Sequence, residues 1–459
     1  MAFVFYDTET TGTDKQFDQI LQFAAIRTDE NLVELERFEC RCRIRPYVTP
    51  APGALCVTGV PIQQCLDASL PSNYEMTGEI YDRLSTWSPS MFLGWNSLEF
   101  DEELVRQNFY VNLYPAYLTN TNGNSRTDVL KVAQACAVER ADAIEIPVLG
   151  GKPKFKLDLL APLNGFPHNN AHDALADVEA TIHMARLLRD RAPQTWGKAM
   201  RFAQKAAAKN FLETEPGVVL TEVYFNRPYQ YAVGYLGQEP RSPCAHFALD
   251  LTQSVDGFLD LAPSRRVARL SSSPRVVRRV KVNKTPLMES LLDVDDFQGH
   301  DPEALLANAE AVLANDDLRE ALVSAASQAY SAHYVSDQVE QMIYDGFPLD
   351  DDKNRFALFH AAPWHDRPAI VETFTDQRFR ELGFRLIHEH APNELSGDAR
   401  ATMERFVELR RFSDSASNQP WRTVAAALRE LADLRISAAP HNVAILDGLE
   451  RELRRWIPG

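Results

Sequence analysis

The chain has 459 residues, 45% of them apolar and 24% charged, a globular composition too long for one core, which predicts two to four domains. No uncharged apolar run of about 18 residues occurs, and the start, MAFVFYDTETTG, lacks a basic segment followed by a long apolar one; a membrane span is excluded and a secretory signal is not expected. A formal charge of −16 excludes a surface that is basic overall, so any contact with nucleic acid must use local patches. Six cysteines in a chain this long make no disulfide framework. Only Cys40 and Cys42 lie close together, which supports neither a zinc site nor oxidative folding, and the expected location is the cytoplasm.

In chain order, 3–6 is a short apolar run, 20–26 is rich in strand formers, and 33–44 alternates as a half-buried strand does. Apolar 91–95 predicts another strand. Helices are expected over 101–110, 128–138 and 171–191, the last with Ala174, Val178, Ile182, Ala185 and Leu188 on one stripe and Pro193 beyond its end. Strands preceding helices predict an α/β (α+β) domain with a mixed sheet covered by helices. From about 200 the texture changes: 218–225, 229–235, 246–251 and 275–282 are short β-branched or aromatic runs between Pro, Gly and Ser, the pattern of a small antiparallel barrel or curved sheet. A helical arm, 303–330, interrupts or closes it. Helices are expected at 376–389, 397–412, 420–435 and 442–456. Three domains result: 1–195, 196–345 and 346–459.

Chemistry concentrates in the first of these. In Asp7-Thr8-Glu9-Thr10-Thr11-Gly12, residues two apart on a strand face the same way, so Asp7 and Glu9 present paired carboxylates. Such a pair is costly unless a cation neutralises it, and hard oxygen ligands suit Mg²⁺ or Mn²⁺. Taken alone, D-x-E at a strand end is more often a solvated pair. Asp101 opens a helix, where a first-turn acid is favoured by the dipole whatever its function. His172 and Asp177 cannot share a face if both lie well inside a helix, but they converge if His172 sits at its start and Asp177 one turn in. The ordered set D-x-E, D, H-x-x-x-x-D is the specific signal. Four carboxylates and an imidazole are what two-metal phosphodiester hydrolysis requires: two cations clamp the reacting oxygens, and histidine takes the proton of the attacking water.

The segments DTETTG, NSLEFDEELVRQNFY and NAHDALADVEAT resemble, in order and separation, the three motifs of the DEDDh branch of 3′→5′ exonucleases. The likeness extends further: 23–29 (FAAIRTD), 52–54 with 57–60 (PGA, VTGV), 124–126 (NSR), 282–284 (VNK) and 344–347 (YDGF) resemble the bacterial exodeoxyribonuclease I family. The resemblance implies a ribonuclease H-like mixed-sheet exonuclease domain, then an SH3-like β-barrel with a helical extension that binds single-stranded DNA, then an all-helical C-terminal domain. It implies hydrolysis of single-stranded DNA from the 3′ end to 5′-mononucleotides, in DNA repair or recombination. Asp7, Glu9 and Asp177 would hold one Mg²⁺ and Asp7 would bridge to a second near Asp101, with Mn²⁺ as a substitute. His172 would be the general base. Thr8, Thr58 and Gly59 would line the terminal-nucleotide pocket. The acidic C-terminal tail of single-stranded-DNA-binding protein is an implied partner, and a monomer is the default. An exoribonuclease, a proofreading exonuclease and a catalytically silent nucleic-acid binder are the competing readings.

Residues 261–288 carry eight basic side chains and no acid. Arg275, Arg278, Lys281 and Lys284 are candidate phosphate contacts there, with Arg126 in the first domain. A solvated charged face is an equally common fate for such a run. Tyr224, Phe225, Tyr229 and Tyr231 could stack bases or fill a core.

Overall fold

In a computed structural model of the protein, residues 1–167, 172–224, 227–330, 336–413 and 419–458 are described. The contacts divide the chain into two compact units, one of residues 1–124, 168–179 and 335–459, the other of 125–167 and 180–334.

The first unit is built on β1 (Ala2–Thr10), β2 (Ile20–Thr28), β3 (Glu34–Arg41) and β4 (Ser90–Leu93), neighbours in the order β3-β2-β1-β4. β1 pairs antiparallel with β2 and β2 with β3, whereas β1 and β4 run parallel, so the sheet is mixed as predicted. β1 and β2 are buried almost end to end, because both their faces are covered. β3, at the edge, exposes Glu34, Glu36 and Arg37, charges that discourage pairing with another chain. One core joins Val4, Tyr6 and Phe23 of the sheet to Ile80 and Leu84 of the helix Asn73–Thr86 and to Leu104 and Phe109 of the helix Asp101–Val111. A capping box between Ser72 and Glu75 sets where the first of these helices begins.

The C-terminal helices Gln377–His390, Gly397–Phe412, Val424–Arg435 and Pro440–Trp456 match the expected ones to within a few residues. The third starts at Val424 rather than 420 because the Thr423 side chain accepts from the Ala426 N–H and fixes the first turn. These helices do not form a core by themselves. Tyr74, Tyr110 and Leu113 pack with Phe356, Phe359, Leu382 and Leu386, while Leu21, Ile44, Leu55 and Ile62 pack with Leu431, Leu446, Leu449 and Leu453.

In the second unit an antiparallel sheet runs in the order Val277–Lys281, Ala245–Asp250, Arg227–Gln238, Val218–Tyr224, Leu287–Ser290. One face (Val219, Ala232, Phe247, Leu249) meets Leu305, Leu322 and Ala325, and the other (Val218, Leu220, Val233, Ala248) meets Phe202, Phe211 and Leu212. The expected helical arm is two helices, Pro302–Leu313 and Asp316–Ala329; the Asn315 side chain caps the second by accepting from the Leu318 N–H. The helix expected from 171 is Ala174–Arg191, and residue 171 lies outside the described residues. Among the described residues no helix is long and apolar enough to cross a membrane.

Candidate active site

Asp7 and Glu9 lie on one face near the end of β1, as strand alternation requires. One carboxylate oxygen from each of Asp7, Glu9 and Asp177 lies within 4.8 Å of the others. Asp177 stands in the first turn of the helix Ala174–Arg191, and His172 sits in the turn just before that helix, exposed, with φ +69°. The five-residue spacing is thus resolved as a pre-helical histidine and a first-turn acid. Asp101, buried at the first residue of its helix, accepts at Oδ1 from the Thr8 hydroxyl at 2.6 Å and the Thr8 N–H at 3.1 Å. Next to it, Glu102 accepts from the Tyr6 hydroxyl at 2.8 Å, the Thr119 hydroxyl at 2.6 Å and Arg106 at 2.8 Å, which ties this helix start to β1.

Burial pushes Asp7 well above the usual carboxylate range, and Asp101, Asp177 and Glu9 push it further. Glu9, only 7% exposed, is pushed up to about 9 by burial, then by Asp177 and Asp101. Acids so placed either hold protons or hold a cation. Three convergent carboxylates, with Asp101 close enough to act on two of them, are the hard, anionic oxygen donors that Mg²⁺ or Mn²⁺ takes, so the residues present fit such ions.

Thr8 gives its hydroxyl to Asp101, so it holds an acid of the site rather than offering that group to a nucleotide. Thr58 ends the helix Pro52–Thr58, and exposed Gly59 follows at φ +68°, the left-handed conformation that closes a helix. Val57 beside them is 56% exposed. In the second unit Arg126 is buried. Arg278 is also buried, with Asp250 at 3.2 Å, Glu222 at 3.0 Å and the Tyr231 ring beneath its guanidinium; its charge is neutralised internally and is not offered to phosphate. Arg275 is exposed and donates to the Tyr330 hydroxyl at 2.6 Å. Lys281 is exposed, and the Lys284 carbonyl accepts from Lys131 at 2.6 Å. Tyr224 and Tyr229 are each 42% exposed with ring centres 6.0 Å apart, so these two rings do not fill a core. Phe225 lies outside the described residues.

Sequence reasoning missed three residues beside the acids. Asp173 accepts at Oδ2 from Arg41 at 2.8 Å and Gln22 at 3.1 Å, and at Oδ1 from the Ala176 N–H at 3.3 Å. Burial raises its pKa, but the bonds from Gln22 and Ala176 and the charge of Arg41 outweigh that and leave it low. An aspartate three residues before a helical N–H is a cap signal readable in sequence; its partners on β2 and β3 are not.

Residues 4–185 match the family described as Exonuclease, and residues 337–454 match the Exonuclease I C-terminal domain. The exodeoxyribonuclease I of Escherichia coli (strain K12) is 31% identical over 431 residues, 89% of this chain and 89% of that one. The crystal structure of E. coli exonuclease I in complex with a dA16 oligonucleotide is similar with a TM-score of 0.86 at 27% identity, over 99% of this chain and 100% of that one. A structure of SSB/exonuclease I in complex with an inhibitor is similar with a TM-score of 0.82 at 27% identity, over 99% of both chains.

Proposed function

The chain belongs to the exodeoxyribonuclease I family, and we propose that it degrades single-stranded DNA from the 3′ end, releasing 5′-mononucleotides, with Asp7, Glu9, Asp101 and Asp177 holding two Mg²⁺ ions. Membership makes it a single-stranded-DNA exonuclease that depends on a divalent metal. The observation that carries the finer reading is the convergence of Asp7, Glu9 and Asp177 within 4.8 Å. A pure binder of polyanions gains nothing from buried carboxylates that repel phosphate.

The bound cations would stabilise the charge that develops on the scissile phosphate. His172, exposed in the turn before the helix that carries Asp177, takes the proton of the water that attacks phosphorus. The P–O3′ bond breaks and the 3′ oxygen leaves with the shortened strand. Thr8 holds Asp101 in place. Val57, Thr58 and Gly59 meet the terminal nucleotide, and the helices Val424–Arg435 and Pro440–Trp456 brace that segment through Leu55. Arg275, Lys281 and Lys284 serve phosphates, and exposed Tyr224 and Tyr229 stack bases. Residues 1–195, 196–345 and 346–459 act as nuclease, DNA-binding and bracing parts, in a monomer that works processively in DNA repair. The similar SSB/exonuclease I structure supports single-stranded-DNA-binding protein as a partner.

The test uses one DNA strand labelled at either end, with Mg²⁺ or with chelator. Loss of the 3′ label first, abolished by chelator and by Asp7→Ala while strand binding persists, is the expected result. His172→Ala should slow turnover by at least ~10²-fold. Cleavage by Asp7→Ala at the wild-type rate excludes the site.

A further inference from the structure

Asp173 stands between the two helix-start residues on which the site depends. His172 immediately precedes it, and the Asp177 N–H donates to its main-chain carbonyl at 3.0 Å. Its side chain is not among the converging oxygens; it turns to the sheet instead. Gln22, 2% exposed, is paired in register with Glu9 on β1 and with Arg41 on β3. From there the Gln22 amide donates to Asp173 and to Glu39, at 3.0 Å, while its oxygen receives the Ala174 N–H at a long 3.5 Å. Arg41 closes the clasp on the same Asp173 oxygen.

Three features say what the clasp is for. The Arg41–Asp173 pair is 31% and 40% exposed, and pairs that wet contribute little to global stability. A serine or asparagine would cap the helix without adding a negative charge beside Asp7 and Glu9, which Asp173 does. The extra charge is useful only if its pairing with Arg41 matters. A non-glycine residue at φ +69° is also a sparsely populated state that surrounding bonds must hold, and His172 adjoins the clasp.

We propose that Asp173, gripped by Arg41 and Gln22, is a positioning residue that locks the start of the helix Ala174–Arg191 to the sheet and so fixes where His172 and Asp177 stand relative to Asp7 and Glu9. The inference rests on the metal-dependent reading of the site. Asp173 touches neither substrate nor metal in this role.

The experiment compares Asp173→Ala, Arg41→Ala and the double variant in the full chain by three readings: thermal midpoint, Mn²⁺ affinity of the DNA-free protein by water-proton relaxation, and kcat and KM on an end-labelled strand. Expected are midpoints within about 4 °C of wild type, Mn²⁺ affinity and kcat each lowered about 10–100-fold, and KM for the strand within about twofold. The double variant should lose no more than the worse single one, because both remove one clasp. Asp173→Asn, which keeps the cap but not the charge, should fall between wild type and Asp173→Ala. Wild-type kcat with wild-type Mn²⁺ affinity overturns the proposal. So does a fall in kcat that tracks the midpoint with Mn²⁺ binding intact, and so do losses that multiply in the double variant. Wild-type turnover that survives chelator overturns instead the metal reading beneath it.

Discussion

Glu9 holds its proton in the metal-free protein far above the ordinary carboxylate range, up to about 9 against an ordinary 4.5, because burial and Asp177 both disfavour its charge. Between those values the folded state binds more protons than the unfolded one, so unfolding becomes easier as pH rises. The stability from this group is full below pH ~4.5 and is lost as pH climbs through about 9. Thermal midpoints in chelator should therefore fall from pH 6 to pH 9, and Glu9→Gln should flatten that slope. Divalent metal, which displaces the protons, should restore the midpoint most at the alkaline end. A midpoint in chelator that rises over this range, in the wild type and in Glu9→Gln alike, contradicts the buried cluster. At this scale the converging acids Asp7, Glu9 and Asp177 were legible. Asp7, Glu9, Asp101, His172 and Asp177 stand out because their spacing has a chemical meaning, while Gln22 and Arg41 do not, because nothing in their local sequence says which strand they face across.

Glu340 shows how the C-terminal elements are fastened. It is buried between Arg385 of the helix Gln377–His390, at 2.6 Å, and Arg410 of the helix Gly397–Phe412. Burial pushes Glu340 up, but Arg385 and Arg410 more than offset this and hold it below the usual range. Glu340→Ala leaves two buried guanidiniums without their shared anion, and breaking such a pair costs about 3–5 kcal/mol. Denaturant unfolding followed by Trp fluorescence should report that loss; a change under ~1 kcal/mol would mean the arginines find other anions. Elements with strong periodicity, such as 101–110 and 397–412, were legible in the sequence. The helices Pro193–Phe202 and Lys205–Thr214 were not, since they follow Ala192 and Gln204 without a side-chain cap and their apolar residues read as part of the strand-rich region. The strand Leu287–Ser290 is four residues long and pairs with Val218–Thr221, a partner about 70 residues away that local pattern cannot reveal.

Across the whole molecule the difficulty is that a chain of charge −16 must hold a polyanion. Sequence order suggests consecutive domains, yet residues 335–459 group with 1–124, a return of the chain that only long-range packing discloses. The same blindness affects the basic run of 261–288. Its residues look equivalent in sequence, but Arg278 is spent on Asp250 and Glu222, and Arg279 on Glu239 at 2.6 Å, whereas Arg275 stays exposed. Each phosphate neutralised on a single strand contributes ~0.7 to the slope of log affinity against log salt. Arg275→Gln should therefore lower the slope by about that amount and leave stability almost unchanged, since Arg275 is exposed and what is lost is its contact with the Tyr330 hydroxyl and ring. Arg278→Ala should keep the slope and instead cost about 3 kcal/mol, because Asp250, 3% exposed, loses its counter-charge. Fluorescence anisotropy of a labelled oligonucleotide across a salt series, paired with denaturant melts, separates the two. If Arg278→Ala lowers the slope as Arg275→Gln does, the arginine leaves its acids to meet the strand, and the division of the run into spent and available charge fails.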